Sequence, residues 1–338
     1  MFDRYRLYLE DAMADAVPPL DQHPINALLR YHLGWSDQHG APSPTPASQG
    51  KALRPTLCMF ACEAFDGQLT DAAPAAAALE LIHNFSLIHD DIQDRGYERR
   101  HQPTVWAVWG TSPALVAGDS MQSLGDHTSI LATDSVSPTT AIRVSGLITE
   151  SYLEMIEGQC RDLQFEQRET IRTDEYLDMI ALKTGALIRS SLVIGAALAT
   201  EDAGTIDGVA RFGRAIGRLF QIRDDYLGIW GDDAITGKST DSDIVQRKKS
   251  YPIVYAFQES SGSNRTELTR LYAQETLDEP DVDRVLDILE DIGAAVQTDA
   301  LTESTAEEAR TALAVLEMPQ WAQTDAENLI DFMANRLF

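Results

Sequence analysis

The spacing of the apolar residues is the feature that most constrains the fold of this chain. Apolar side chains recur every three or four residues through long segments, as at Leu79, Ile82 and Phe85, and glycine and proline are sparse inside those segments. This period is typical of amphipathic helices, whereas half-buried strands alternate apolar and polar residues. The sequence therefore predicts an all-α protein.

Seven long helices are predicted, followed by several shorter ones to the C-terminus, over about 51–66, 72–94, 104–132, 138–168, 173–200, 204–229 and 241–260. Gly40 to Gly50, rich in Pro, Ser and Ala, is predicted as a loop, and Ser135 to Pro138 as a helix break. No shift in composition and no internal repeat divides the chain. Residues 1–338 are therefore predicted to form a single domain, one large helical bundle.

The net charge of −26, from 53 acidic and 27 basic residues, excludes several partners. Such a field repels nucleic acid and anionic lipid. At about 1 M salt the Debye length falls to about 3 Å, so the self-repulsion of an acidic chain is screened. The charge therefore predicts a halophilic host.

The same sequence predicts a cytoplasmic protein that does not insert stably into membranes. It contains no run of about 18 consecutive apolar residues, the minimum for a spanning helix. Met1–Arg6 leads into acidic residues rather than into the apolar stretch of a secretory signal. The cysteines, Cys58, Cys62 and Cys160, cannot all pair, which fits a reducing compartment.

Lysine is rare in this chain, with 22 arginines against five lysines, at positions 51, 183, 238, 248 and 249. A chain that has shed most of its lysines retains them where a compact ammonium charge is needed, for example at a phosphate. Chance survival is the alternative for any single lysine.

A first acidic cluster, Asp90-Asp91-Ile92-Gln93-Asp94, follows an apolar segment that contains His83. On a helix Asp90 and Asp94 stand one above the other, with Asp91 about 100° around the axis. Magnesium commonly takes one or two carboxylates together with substrate phosphates, so such a row suits a metal-bound diphosphate. An exposed acidic turn is the alternative.

Two adjacent arginines, Arg99 and Arg100, follow the first cluster and offer forked donors for phosphate oxygens, although a pair of salt bridges would also explain them. A second acidic pair, Asp224-Asp225, ends another apolar helix, and Lys238 and Lys248 follow it. Two such helix ends facing each other, with metal ions between them, would neutralise a diphosphate leaving group.

With these motifs the chain resembles the trans-polyprenyl diphosphate synthases, especially geranylgeranyl diphosphate synthases of archaea. The resemblance runs from Gly50-Lys51-Ala52-Leu53-Arg54-Pro55 through both aspartate clusters to Tyr251-Pro252, with every motif in the order of the family. It implies the helical isoprenoid synthase fold with a central active-site cavity. It also implies a homodimer.

The resemblance assigns site residues position by position. The metal ligands would be Asp90, Asp94, Asp224 and Asp225, with Asp91 in support, and about three Mg²⁺ ions would bind. The allylic diphosphate would be held by Arg99, Lys183 and Lys238. Isopentenyl diphosphate, which binds without metal, would contact Lys51, Arg54, His83 and Arg100. Further positions that match the substrate site are Thr184, Gln221 and Lys248.

The implied reaction condenses isopentenyl diphosphate with dimethylallyl, geranyl or farnesyl diphosphate. Ionisation of the allylic carbon–oxygen bond precedes attack by the double bond and loss of a proton. Phe85 and Ser86, about one helical turn before Asp90, resemble the chain-length positions of geranylgeranyl synthases, although core packing also explains Phe85. Geranylgeranyl diphosphate is therefore the expected product, with farnesyl diphosphate as the alternative.

One position departs from the pattern of the family. Gly228 stands where the second motif usually carries a third aspartate, and Asp232 is a candidate substitute. A regulatory subunit of a heteromeric synthase would lack the metal and arginine motifs, both of which are present. A terpene cyclase would need no pocket formed by Lys51, Arg54 and His83, yet all three residues are here.

Overall fold

The computed structural model describes residues 1–20, 23–43, 52–131, 136–231 and 242–336. Within these ranges the chain forms sixteen helices and one two-stranded ladder, so the all-α prediction is confirmed. The elements are α1 (Phe2–Ala16), α2 (Pro24–His32), α3 (Leu53–Ala64), α4 (Leu69–Gln93), β1 (Glu98–Arg99), β2 (Gln102–Pro103), α5 (Val105–Trp109), α6 (Thr111–Leu131), α7 (Pro138–Glu166), α8 (Thr173–Lys183), α9 (Gly185–Ala199), α10 (Ala203–Trp230), α11 (Ser242–Val245), α12 (Tyr251–Glu259), α13 (Gly262–Tyr272), α14 (Glu279–Asp291), α15 (Ala294–Leu313) and α16 (Gln320–Asn335).

The chain divides into two compact units. The first comprises Met1–Tyr152 and Ser190–Ile206, and the second comprises Leu153–Arg189 and Asp207–Phe338. The first acidic cluster belongs to the first unit and Asp224-Asp225 to the second. That residues 1–338 act as one domain stays a prediction.

The core of the first unit is built around α4, which packs against α6, α3 and α1. A run of buried alanines, Ala75–Ala78, lets the neighbouring helices approach closely. In α6, Gly125 lies so near Ile82 that an added Cβ would be 2.9 Å from its side chain. Cys58 and Cys62 are fully buried in α3, where they are small core residues.

In the second unit, one apolar cluster joins α8, α10 and α12 through residues such as Met179, Ile222 and Val254. A second cluster joins α12, α13 and α14 to the end of α10 through Phe257, Leu271 and Ile229. The first of these clusters includes Tyr176 and Tyr251, which reach the second acidic pair. Core packing therefore fixes the helix end that carries Asp224 and Asp225.

Three predicted helices are each two helices, and those predictions were wrong. Residues 104–132 are interrupted at Gly110, whose φ of 88° favours glycine and ends α5. Residues 173–200 are interrupted at Thr184, and residues 241–260 between Val245 and Tyr251. In the last case the N-terminal Pro252 fits the first turn of a new helix.

Within the described ranges no single helix is long and apolar enough to cross a bilayer. One bent pair, α8 and α9, which meet at 45°, meets the length and hydropathy criteria only when the two helices are joined.

Candidate active site

In the first unit the first acidic cluster lies at the C-terminal end of α4. The helix ends at Gln93, and Asp94 caps it, its amide nitrogen donating to the carbonyl oxygen of Asp90 at 2.8 Å. Asp94 is exposed and Asp90 is partly exposed, whereas Asp91 is only 5% exposed. The carboxylates of Asp90 and Asp94 are therefore the accessible ones.

Asp91 binds Arg99 instead of solvent. The Nε of Arg99 donates to the two carboxylate oxygens of Asp91 at 3.0 and 3.2 Å, and its terminal nitrogen lies 2.9 Å from one of them. Burial raises the pKa of Asp91, although the charge and hydrogen bonds of Arg99 act against that rise. Arg99 thus has a fixed orientation before any ligand binds.

The arginine pair is carried by the short β1–β2 ladder. Arg100 and His101 form its turn with φ of 51° and 62°, in the left-handed region. Side-chain donors anchor both ends: Thr104 Oγ1 and Trp106 Nε1 donate to the Gly96 carbonyl at 2.8 and 2.7 Å, and the Tyr31 hydroxyl donates to the Pro103 carbonyl at 2.7 Å. These hydrogen bonds hold the turn, and with it the backbone that carries the guanidinium groups of Arg99 and Arg100, in one conformation.

The first unit also contains a partly buried polar cluster. Its members are Arg54, Glu80, His83, Arg100 and His32. Burial lowers the pKa of Arg54 to about 10 and also lowers the pKa of Arg100, and the negative charge of Glu80 opposes both shifts. Burial, reinforced by nearby arginines, lowers the pKa of His83 well below its usual value and that of His32 to about 3. Both imidazoles are therefore neutral near pH 7, beside arginines that keep their charge.

One atom of this cluster, Nε of Arg54, is inaccessible to solvent and lacks a hydrogen-bond partner in the described part of the chain. Unpartnered buried polar atoms are rare because each costs about 1–3 kcal/mol. The same unit contains a cavity of about 430 Å³, with Ala52, Glu80, Asn84 and Arg100 in its wall.

In the second unit the two adjacent carboxylates of the acidic pair have different surroundings. Asp225 is buried and accepts three hydrogen bonds, from the Tyr176 hydroxyl at 2.6 Å, the Gln221 amide at 2.8 Å and the Tyr251 backbone N–H at 3.0 Å. Burial raises the pKa of Asp225 to about 7, which these donors partly oppose. Both carboxylate oxygens of Asp225 thus accept hydrogen bonds from the protein.

Asp224, in contrast, is partly exposed. One carboxylate oxygen lies 3.4 Å from the guanidinium of Arg336, whose group stacks on the Phe220 ring and donates to the Phe220 carbonyl at 3.0 Å. Arg336, close to the C-terminus, thus supplies a positive charge beside Asp224, the predicted metal ligand.

A second set of polar contacts lies where α8 ends. Lys183 Nζ donates to Asp162 at 2.5 Å, and the Thr184 hydroxyl donates to the Gln221 side-chain oxygen at 2.7 Å. Gln221 then donates to Asp225, so Thr184, Gln221 and Asp225 form one hydrogen-bonded chain. The fold thus brings Thr184 into contact with Gln221, although the two residues are far apart in the sequence.

The missing third aspartate of the second motif has a structural counterpart that the sequence reasoning overlooked. A Cβ on Gly228 would lie 2.2 Å from a carboxylate oxygen of Asp243, so this buried acid occupies the space beside Gly228. Lys248 pairs with Asp243 at 3.6 Å. The candidate substitute Asp232, and the predicted substrate residues Lys51 and Lys238, lie outside the described residues.

Sequence reasoning also missed residues that act from a distance along the chain. Glu80 had a local signal, because it is a lone acid inside the apolar run of α4. Tyr176, Arg336 and His32 had none, since their partners lie 49, 112 and about 68 positions away respectively. Only tertiary contacts reveal such pairs.

No group of three or more His, Cys, Asp or Glu in the described ranges is arranged to hold a metal ion by itself. Magnesium does not need one, because it commonly binds one or two carboxylates and completes its shell with phosphate and water. Accessible carboxylates at Asp90, Asp94 and Asp224 therefore fit Mg²⁺ that arrives with a diphosphate.

The site thus combines accessible carboxylates with a separate set of cationic side chains on a helical scaffold. This combination defines a class of proteins that bind metal-bound phosphate esters. The sequence profile described as Polyprenyl synthetase matches residues 42–289. The chain belongs to this family.

Named relatives refine the comparison. The chain is 44% identical over 246 residues to a (2E,6E)-farnesyl diphosphate synthase of Mycobacterium tuberculosis, which covers 73% of this chain and 67% of that one. It is 37% identical over 289 residues to a geranylgeranyl diphosphate synthase of the same organism, covering 83% and 81%. The crystal structure of a polyprenyl synthetase from Streptomyces coelicolor superposes with a TM-score of 0.89 at 33% identity, covering 98% of each chain.

Proposed function

We propose that this chain is a short-chain prenyl transferase that condenses isopentenyl diphosphate with allylic diphosphates. The observation that carries the proposal is the partly buried polar cluster of the first unit, in which Arg54, His83 and Arg100 are accompanied by only one acid, the buried Glu80. A cationic cluster of this kind suits a diphosphate that binds without metal. Family membership and the names of the relatives support the same activity.

The first unit supplies two sets of groups. Asp90 and Asp94 bind magnesium, and Asp91 fixes Arg99, which contacts the allylic diphosphate. Arg54, His83 and Arg100 bind the diphosphate of isopentenyl diphosphate, together with Lys51. Because His83 is neutral, its imidazole both donates and accepts a hydrogen bond without adding charge.

The second unit supplies Asp224 as a further magnesium ligand and Lys183 as a cation for the allylic diphosphate, with Lys238 in the same role. Thr184, Gln221 and Lys248 complete the substrate contacts. We assign Asp225 to positioning, because its three hydrogen bonds hold Gln221 and the start of α12.

Magnesium, when bound, supplies positive charge to the diphosphate leaving group, and we propose three ions per site. Arginine and lysine side chains supply the remaining positive charge. The cations assigned to the allylic diphosphate stabilise the negative charge that develops as its carbon–oxygen bond breaks. The electron pair of the isopentenyl double bond then forms the new carbon–carbon bond, and the resulting cation loses a proton to the released diphosphate.

Geranylgeranyl diphosphate is the product we propose. Phe85 is buried and contacts His89 and Tyr152 edge-to-face, at centroid distances of 5.7 and 6.4 Å, so its ring has a fixed orientation. We assign to this ring the limit on the length of the growing chain. Ser86, whose hydroxyl donates to the His83 carbonyl at 2.8 Å, leaves more room. Farnesyl diphosphate is the second candidate, favoured by the 44% identity to a farnesyl diphosphate synthase.

The test is elongation of labelled isopentenyl diphosphate by the purified protein. Magnesium, high salt and dimethylallyl, geranyl or farnesyl diphosphate are supplied, and the products are sized. We expect C20 product and a loss of about 10²–10³-fold in kcat for Asp90→Ala, as for removal of a group that stabilises transition-state charge. Glu150→Ala, an exposed acid on α7, is the control. Absence of elongation in the unmodified protein would refute the proposal.

We propose that the enzyme is cytoplasmic. We also propose that two copies of the chain associate through the apolar surface formed by α6 and the start of α7. Val116, Ile130 and Ile142 are more than half exposed there, and Leu115 and Leu131 only slightly less, an unusual concentration for a free surface. Sedimentation of the protein and of Ile142→Glu in high salt tests this, with a dimer expected for the first and a monomer for the second.

A further inference from the structure

His89 is a partly exposed histidine of α4 to which the proposed reaction gives no role. It follows Phe85 by four residues, so the two side chains lie on the same face of α4. Phe85 is the residue to which we assign the limit on product length. The contacts of His89 within the first unit therefore bear on that limit.

The neighbouring helix α6 makes room for the imidazole of His89 at Gly118. A Cβ on Gly118 would lie 2.1 Å from Nε2 and 2.3 Å from Cδ2 of this ring. Gly118 is buried, so the imidazole rests directly against the backbone of α6. Any larger residue at position 118 would displace the imidazole, because that space is already filled.

Polar groups of α6 fix the imidazole against Gly118. Nε2 of His89 lies 3.2 Å from the Leu115 carbonyl oxygen and donates a hydrogen bond to it, because a carbonyl oxygen can only accept. A carboxylate oxygen of Asp119 lies 3.8 Å from the same nitrogen. The position of the imidazole is thus set by α6, although the residue belongs to α4.

The imidazole of His89 in turn contacts the ring of Phe85. The ring centroids are 5.7 Å apart and the planes are nearly perpendicular, at 85°. Tyr152 of α7 contacts Phe85 in the same manner at 6.4 Å. A phenyl ring changes its side-chain rotamer when space opens beside it. Loss of either neighbour therefore lets Phe85 turn away from the orientation it has here.

We propose that His89 is a positioning residue for Phe85, whose imidazole, seated on Gly118 and bound to the Leu115 carbonyl, holds the Phe85 ring in the orientation that limits product length. This inference rests on the proposed function and adds a residue to it. His89 acts through Phe85 and not on the reacting atoms.

The experiment measures the ratio of C25 to C20 product made by the purified full chain from farnesyl diphosphate and labelled isopentenyl diphosphate, with magnesium in high salt. His89→Ala removes the imidazole, and His89→Gln places a polar side chain without a ring against Gly118. Gly118→Ala leaves His89 intact and fills the space in which its imidazole rests.

Two reference variants accompany these three. Phe85→Ala removes the limiting ring itself. The matched control is Gly125→Ala, the same substitution on the same helix, because its Cβ would crowd the Ile82 side chain at 2.9 Å rather than His89. It separates a loss of stability from a change in product length.

For His89→Ala and His89→Gln we expect the ratio of C25 to C20 product to rise by about two- to tenfold, which is the size of one edge-to-face contact. Gly118→Ala should raise it as well, because the displaced imidazole no longer supports the Phe85 ring. Phe85→Ala should raise it most. Gly125→Ala should keep the ratio of the unmodified protein although its Tm is lower.

Several outcomes would overturn the proposal. One is an unchanged ratio in either His89 variant or in Gly118→Ala when Phe85→Ala gives longer products. Another is an equal rise in Gly125→Ala, or failure of all three test variants to fold while Gly125→Ala folds, since His89 would then serve only the fold.

Failure of the underlying assignments gives different results. An unchanged ratio in Phe85→Ala would remove the limit assigned to that ring, and this proposal with it. Absence of elongation by the unmodified protein would refute the proposed function itself.

Discussion

At the scale of single residues, charge in the first unit is controlled by burial. His32 is 6% exposed and lies near Arg99 and Arg100, so protonating it would add a third positive charge in a place without water. Its pKa of about 3 is the consequence. The unfolded chain has no such surroundings, and there the imidazole titrates near 6.5.

This difference predicts a pH dependence of stability. Between pH 6.5 and about 3 the unfolded state binds a proton at His32 that the folded state does not, so acidification favours unfolding in that window. From pH 6.5 to 5 we expect the free energy of unfolding to fall by about 1–2 kcal/mol more in the unmodified protein than in His32→Gln. Urea denaturation at both pH values measures it.

The control is His39→Gln, which removes a histidine that is exposed. Equal pH slopes for the unmodified protein and His32→Gln would show that His32 is not the responsible group.

At the scale of helices, close approach decides where Lys183 lies. A Cβ on Gly158 of α7 would be 2.2 Å from the backbone nitrogen and 2.6 Å from the Cα of Lys183. Backbone atoms cannot rotate away, so only glycine lets α7 touch the end of α8. The contact brings Lys183 within reach of Asp162, one turn along α7.

Gly158→Ala should therefore separate the two helices, at a cost of about 1–3 kcal/mol in the free energy of unfolding and with a higher KM for the allylic diphosphate. The matched control is Gly146→Ala in the same helix, where nothing lies within 4 Å of the added Cβ. There the better helix propensity of alanine should raise stability by up to about 1 kcal/mol. Chemical denaturation that finds both variants equally stable would contradict the packing argument.

At the scale of the whole molecule, the net charge of −26 dominates. The described ion pairs are mostly exposed, so they offset little of the repulsion in dilute salt. Raising the salt from 0.1 M to 1 M shortens the Debye length from about 10 Å to about 3 Å, which screens the repulsion between neighbouring carboxylates.

We therefore expect the Tm to rise by at least about 5 °C between 0.1 M and 1 M KCl. Sucrose of equal osmolality is the control, because it favours burial without screening charge. Calorimetry that finds the same gain in sucrose, or none in KCl, would remove the support for a halophilic host.

The sequence by itself determined the helical class, the family and the two acidic clusters, because helical period and short motifs are local properties of the chain. It also indicated that Asp90 and Asp94 stack, since they are one turn apart. The prediction of helix boundaries from sequence was wrong at Gly110 and Thr184. At both positions the apolar period continues although the helix ends.

Only the tertiary structure decided which of the adjacent carboxylates are accessible. Asp224 and Asp225 are alike in sequence, yet Tyr176, Gln221 and Tyr251 enclose the second and leave the first open. Likewise Asp243 lies beside Gly228. Solvation and pairing depend on groups from distant segments, and no local pattern carries that information.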